Sequence, residues 1–195
     1  MYFIDYEKIR KFQELKLGEL RFVFHLMYWF DGFIKDEEIS SINKLFTIDL
    51  LHKRILAEVP KDFIEDNLSC KVYRVSHRLV GYLKLDGDYD YEESITIFPD
   101  KLTDLSLNEY RLLFKMLEYI DEGNIVKLNK QRKERFASEL NISVNTLKKA
   151  LMTLKHRGIL GKSNAYSSYR MDYFTFRTSI SICIKESDFK KELST

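Results

Sequence analysis

Residues 141–160, NISVNTLKKALMTLKHRGIL, decide how the chain folds. Leu147, Ala150, Leu151 and Leu154 recur at spacings of three and four, which places them on one helical face that wants a core. Asn145, Thr146, Lys148, Lys149 and Lys155 fall on the other side. Ser143 stands where an N-cap belongs, and Gly158 where a left-handed residue stops a helix. A helix with these ends has one face for its own protein and one for something else.

Working outward, SLNEYRLLFKMLEYID, 106–121, predicts a preceding helix. Leu107, Tyr110, Leu113, Phe114, Leu117 and Ile120 form its buried face, and Ser106 with Glu109 makes a capping box. Gly123-Asn124 ends it, and IVKLN, 125–129, reads as a short strand. Lys130–Leu140 is a second helix with Phe136, Ala137 and Leu140 inward, and Asn141-Ile142 is a turn. After Gly158, ILGK is a strand, SNAYSS a turn, and YRMDYFTF the returning strand. Helix, strand, helix, turn, helix, hairpin is the order of a winged helix, a helix-turn-helix closed by a β-hairpin.

Charge separates the halves. Residues 1–100 hold 14 basic and 19 acidic residues, whereas Lys127–Arg170 holds 11 basic and 2 acidic. A basic block beside an acidic half suggests a polyanion for one half, although a solvated basic surface would look the same. In a winged helix the third helix enters the major groove, and the basic residues lie on that helix and the hairpin. Ser143, Val144, Asn145 and Thr146 form the helix N-terminus, whose free amides and dipole suit phosphate. Asn145 and Lys149 are candidates for base edges, since Asn suits adenine and Lys guanine. Lys130, Gln131, Arg132, Thr146 and Lys148 are candidates for phosphates, with Lys155 on the same helix. Lys162, Asn164, Tyr166 and Arg170 are candidates for the wing contact. Winged helices also serve as protein-protein modules, and a protein partner is the alternative.

The first half resembles the second. KFQELKLGELRFVFHLMYWFD, 11–31, and KLTDLSLNEYRLLFKMLEYID, 101–121, share seven identities at an offset of 90, among them Leu15/Leu105, Glu19/Glu109, Arg21/Arg111 and Phe24/Phe114. An internal repeat implies two domains of one kind. After Asp31 the similarity fades; 37–59 has a helical pattern, and 71–85 reads as a hairpin or two strands. The expected fold is α+β and predominantly helical: two tandem winged-helix domains, the first degenerate. Residues 1–90 form an assembly domain and 94–195 the DNA-binding domain. DGDYDYEE, 86–93, begins like a calcium loop but has Tyr91 at its sixth place and Ile97 at its twelfth, so it reads as an acidic connector. SITIF, 94–98, and SISICI, 179–184, read as half-buried strands that could pair with one another. Phe22, Val23, Phe24, Leu26, Met27, Tyr28, Trp29 and Phe30 exceed what one helix face needs. The surplus should cover the other domain or a second subunit, which implies a homodimer.

Catalytic signatures are absent. The sequence has neither GxxxxGK[ST] nor GxGxxG, and its four histidines include no i, i+4 pair. The cysteines, Cys70 and Cys183, lack metal-ligand spacing and are no disulfide framework, which implies a reduced, cytoplasmic setting. No apolar run suits a membrane span, and the start of the chain is no secretory signal. Binding without a cofactor, metal or catalysis is the expectation.

Residues 94–177 resemble the winged-helix plasmid replication proteins of the RepL family, through SITIFPDKLTDLSLNE, NIVKLNKQRKERFASELNISVNTLKKALMTLKHRGIL and YRMDYFTF. Where that family carries Asn-Pro after the last wing strand, this chain has Met171-Asp172. The repeat is similar to the tandem winged helices of theta-type plasmid initiators. These resemblances imply double-stranded DNA as partner, host replication proteins beside it, and replication initiation or its control on a plasmid or other mobile element. A transcriptional regulator uses the same motif.

Overall fold

The computed structural model describes residues 2–5, 9–29, 33–59, 70–75, 87–164, 167–171 and 173–184. It is an α+β protein with three small antiparallel sheets.

In the second half, α4 (Leu107–Leu117) starts at the expected capping box: Ser106 Oγ accepts from Glu109 N–H, and the Glu109 carboxylate accepts from Ser106 N–H at 2.7 Å. Strand β6 (Ile125–Lys127) follows, then α5 (Lys130–Glu139) capped by Asn129, and α6 (Val144–His156) capped by Ser143. Asn141 (φ 53°) turns the chain between the two helices, and Gly158 (φ 72°) ends α6. Strands β7 (Leu160–Lys162) and β8 (Ser168–Met171) form the hairpin, and β6 pairs with β8 to give the order β6-β8-β7. YRMDYFTF is two strands rather than one: after Met171 the chain leaves this sheet, and Phe174 opens β9 (Phe174–Ile184) in another.

The first half repeats this plan. It comprises α1 (Arg10–Gln13), α2 (Leu17–Trp29), β2 (Phe33–Lys35), a 3-10 turn at Asp36–Glu38, α3 (Ser41–His52), β3 (Leu56–Glu58) and β4 (Val72–Val75). The helical reading of 37–59 therefore holds only in part, since 56–58 is strand. Of the hairpin expected at 71–85, β4 is a strand and 76–85 lies outside the described residues. The sheet order β2-β4-β3 matches β6-β8-β7. Even the register matches: Tyr73 and Arg74 lie between Ile34/Glu58 and Phe33/Ala57, as Tyr169 and Arg170 lie between Val126/Lys162 and Ile125/Gly161.

The fading after Asp31 has a physical cause. The equivalent of α5 is reduced to a single 3-10 turn, so the offset between halves rises from 90 to about 104. With that shift the likeness resumes: His52/His156, Ile55/Ile159 and Leu56/Leu160 are identical. Arg54 (φ 57°) takes the left-handed place of Gly158, and Ile55 N–H and Ile159 N–H each donate to a leucine carbonyl five residues back at 2.9 Å. Glu19 reproduces Glu109 by accepting from the N–H three residues before it, that of Lys16, at 2.6 Å.

The halves pack reciprocally into one core. Segment α1 lies on α4, while its counterpart, the 3-10 turn Pro99–Lys101, lies on α2. Phe12 stacks on Phe114 with centroids 4.8 Å apart, and Phe24 on Tyr110 at 5.4 Å. Gly18 lets α2 approach α3, since a Cβ there would clash with the Phe46 ring edge. Strand β1 (Tyr2–Asp5) pairs with β5 (Gly87–Ile97) so that Ile4↔Ile95 and Asp5↔Ser94 exchange under the offset of 90. That is the pairing a two-fold axis between the halves requires. The apolar surplus of α2 is accordingly spent inside the chain: Phe22, Val23, Phe24, Leu26 and Met27 are buried, Tyr28 and Trp29 stay exposed, and Phe30 lies outside the described residues.

The acidic run is not a connector. Residues 87–93 begin β5, which continues to Ile97 and pairs with both β1 and β9, so the expected division at 90–94 falls inside a strand. The two stretches expected to pair lie in β5 and β9 but do not face one another. Ser94–Ile97 faces Phe174–Arg177, and 180–184 faces 87–91.

Candidate nucleic-acid interface

Leu147, Ala150, Leu151 and Leu154 are buried and seat α6 on α4 and α5. That fixes the opposite face. Asn145, Lys148, Lys149, Met152, Lys155 and His156 are all exposed at helical spacing, forming one stripe along α6. Met152 was missed by the sequence reading, although its place three and four residues after Lys149 and Lys148 puts it on that stripe.

Neighbouring elements hold the stripe in place. Helix α5 is anchored by buried Phe136 and Ala137, and by Lys115 of α4, whose ammonium binds Glu118 at 2.6 Å and Glu139 at 2.8 Å. Burial opposes the charge on Lys115, but the hydrogen bonds to Glu118 and Glu139 outweigh it and raise its pKa. Hydrogen bonds from Lys115 and Arg135 hold the Glu139 carboxyl below its ordinary pKa.

The expected site residues divide into groups. Asn145, Lys148, Lys149 and Lys155 share the α6 stripe, and exposed Lys130 and Gln131 open α5. Ser143 Oγ accepts from Thr146 N–H at 3.0 Å and meets Thr146 Oγ1 at 2.9 Å, so both hydroxyls serve the cap. Val144 is half-buried and packs against the core. Arg132 is half-buried; it donates to the Lys127 carbonyl at 2.8 Å and lies over the Tyr119 ring, which ties it to the β6–α5 junction. Lys155 Nζ lies 5.8 Å from the centroid of Tyr169, and Lys162 pairs across the hairpin with that tyrosine. Burial pushes the Tyr169 hydroxyl pKa up. Arg170 departs from the group: side chains alternate along β8, and while Met171 is buried on the core side, Arg170 takes the opposite face. Asn164 is exposed between β7 and β8, and Tyr166 lies outside the described residues.

Charge distinguishes this surface from its counterpart. Among the described residues, none of Lys130, Lys148, Lys149, Lys155 and Lys162 has a carboxylate within ion-pair distance. In the first half Lys44, equivalent to Lys148, pairs with Asp36 at 3.6 Å, and Glu58, in the place of Lys162, pairs with Lys71 at 3.1 Å. Leu45 replaces Lys149 and is exposed. Among the described residues no group of three or more His, Cys, Asp or Glu could hold a metal ion, and no helix is long and apolar enough to cross a membrane. Cys70 is a free thiol. Comparison of the chain with protein-family models, with curated proteins and with solved structures gives no match.

Proposed function

We propose that the protein is a sequence-specific double-stranded-DNA-binding protein, built as two winged helices in tandem, in which α6 enters the major groove and the β7–β8 hairpin lies beside it. The role is replication initiation, or its control, on a plasmid or other mobile element. One observation carries the binding: the lysines of the α6 stripe and β7 stand exposed with no carboxylate to satisfy them, while the equivalent first-half positions are neutralised or apolar. Exposed unpaired lysines on a rigid helix match phosphates at the groove edges and release counterions on binding. The first half then serves as a support that holds α4, and through it α5 and α6, in place. The replication role rests on the resemblance of residues 94–177 to plasmid replication proteins.

Two substitutions separate positioning from reading. Lys148→Ala weakens binding to all duplexes alike, because a phosphate contact carries no sequence information. Asn145→Ala costs about 1–3 kcal/mol on the preferred site and much less on random duplex. Selection of that site from random duplexes, followed by titration of both variants, checks the assignment; equal losses of Asn145→Ala on specific and random DNA contradict it. The selected sequence also tests the role. Iterated sites support replication, and a promoter palindrome supports repression instead.

A further inference from the structure

We infer that Met152 is a specificity-determining residue that packs on the 5-methyl group of a thymine in the major groove; this rests on the reading of α6 as the DNA-facing helix. Met152 is 70% exposed, the most exposed large apolar side chain among the described residues. Its helical neighbours Lys148 and Lys149 on one side and Lys155 and His156 on the other are all exposed. Helix α6 contains no acidic residue. An apolar protein surface closing over Met152 would bury the cationic frame of Lys148, Lys149 and Lys155 without compensation, which is costly. A polyanion compensates the frame, and duplex DNA carries on its major-groove edge one apolar group, the thymine methyl. The flexible thioether side chain can follow such a methyl without demanding a fixed geometry.

The first half supplies the contrast. Ile48 stands at the equivalent position and is 53% exposed, but its neighbour Leu45 is apolar and exposed, and Lys44 is held by Asp36. Exposure is common to both positions, and the unpaired cationic frame belongs to Met152.

The experiment uses the full chain and the duplex selected from a random pool. Each thymine in turn is replaced by deoxyuridine, which removes the methyl and leaves the pairing edge intact. The expected result is one thymine, or two adjacent ones, at which the change weakens wild-type binding about fourfold, the value of one methyl group removed from water. Met152→Ala should bind the thymine duplex correspondingly less well and show no response to deoxyuridine, while Met152→Leu keeps the response. Wild-type indifference to every deoxyuridine overturns the proposal, as does a Met152→Ala variant that keeps the sensitivity, and either result leaves DNA binding by α6 standing. Failure of the wild type to bind any duplex removes both readings.

Discussion

Phe114→Ala should lower the stability of the whole chain by about 3–5 kcal/mol, the range for emptying a fully buried phenylalanine site. Phe114 has no exposed surface and lies between Phe12 at 4.8 Å and Phe24 at 6.2 Å. Both partners come from the first half, so the cavity opens where the halves meet. In a chain of this size the loss corresponds to roughly 6–20 °C in melting temperature. Thermal unfolding followed by far-ultraviolet circular dichroism and by the fluorescence of Trp29 should show both signals falling together in the variant. If only the circular dichroism shifts while the tryptophan transition stays in place, the halves do not share one core. The same packing predicts that residues 94–195 made alone fold poorly, since they lose β1 from the sheet and Phe12 and Phe24 from the core.

Lys53→Met should cost about 3 kcal/mol through a different cause. Glu19 is fully buried at the start of α2, where its carboxylate accepts from Lys16 N–H at 2.6 Å and from Lys53 Nζ at 2.5 Å. Lys53 directly follows α3, so the pair ties α2 to α3. Removing one partner of a buried pair typically costs 3–5 kcal/mol, because the other charge is left uncompensated. Lys53 is 35% exposed and water reaches its end of the pair, which places the effect near the lower limit of about 3 kcal/mol. Adding Glu19→Gln removes the orphaned charge and keeps an oxygen for Lys16 N–H, so the double variant should recover most of the loss. Chemical denaturation of the wild type and the two variants measures this, and a double variant no more stable than Lys53→Met would show that charge burial is not the cause.

The second half was legible because its signals are local. Ser106 with Glu109, Ser143 and Gly158 punctuate the helices at their ends, and the apolar residues keep a helical period between them. The first half was half-legible. Its opening helix aligns at a fixed offset, but collapse of one helix to Asp36–Glu38 breaks the offset, and a comparison at constant spacing cannot see past the break. Strand β5 was hidden by composition: Gly87-Asp88-Tyr89-Asp90-Tyr91 alternates as a strand does, yet Asp and Gly are turn formers, and only pairing to β9 decides between the two. Within the candidate site, spacing placed Asn145, Lys148 and Lys149 on the exposed stripe. Arg132 and Arg170 were beyond it, because their directions depend on Tyr119 and on which face of β8 meets the core.

Binding of duplex DNA by the full chain, measured by fluorescence anisotropy across a salt series, tests the central claim most directly. With Lys130, Lys148, Lys155 and Lys162 on phosphates, log affinity should fall linearly with log salt at a slope of about −3.6, and Lys148→Ala should make that slope shallower by about 0.9. A slope near zero, or binding confined to single strands, would contradict the assignment of the α6 face to duplex DNA.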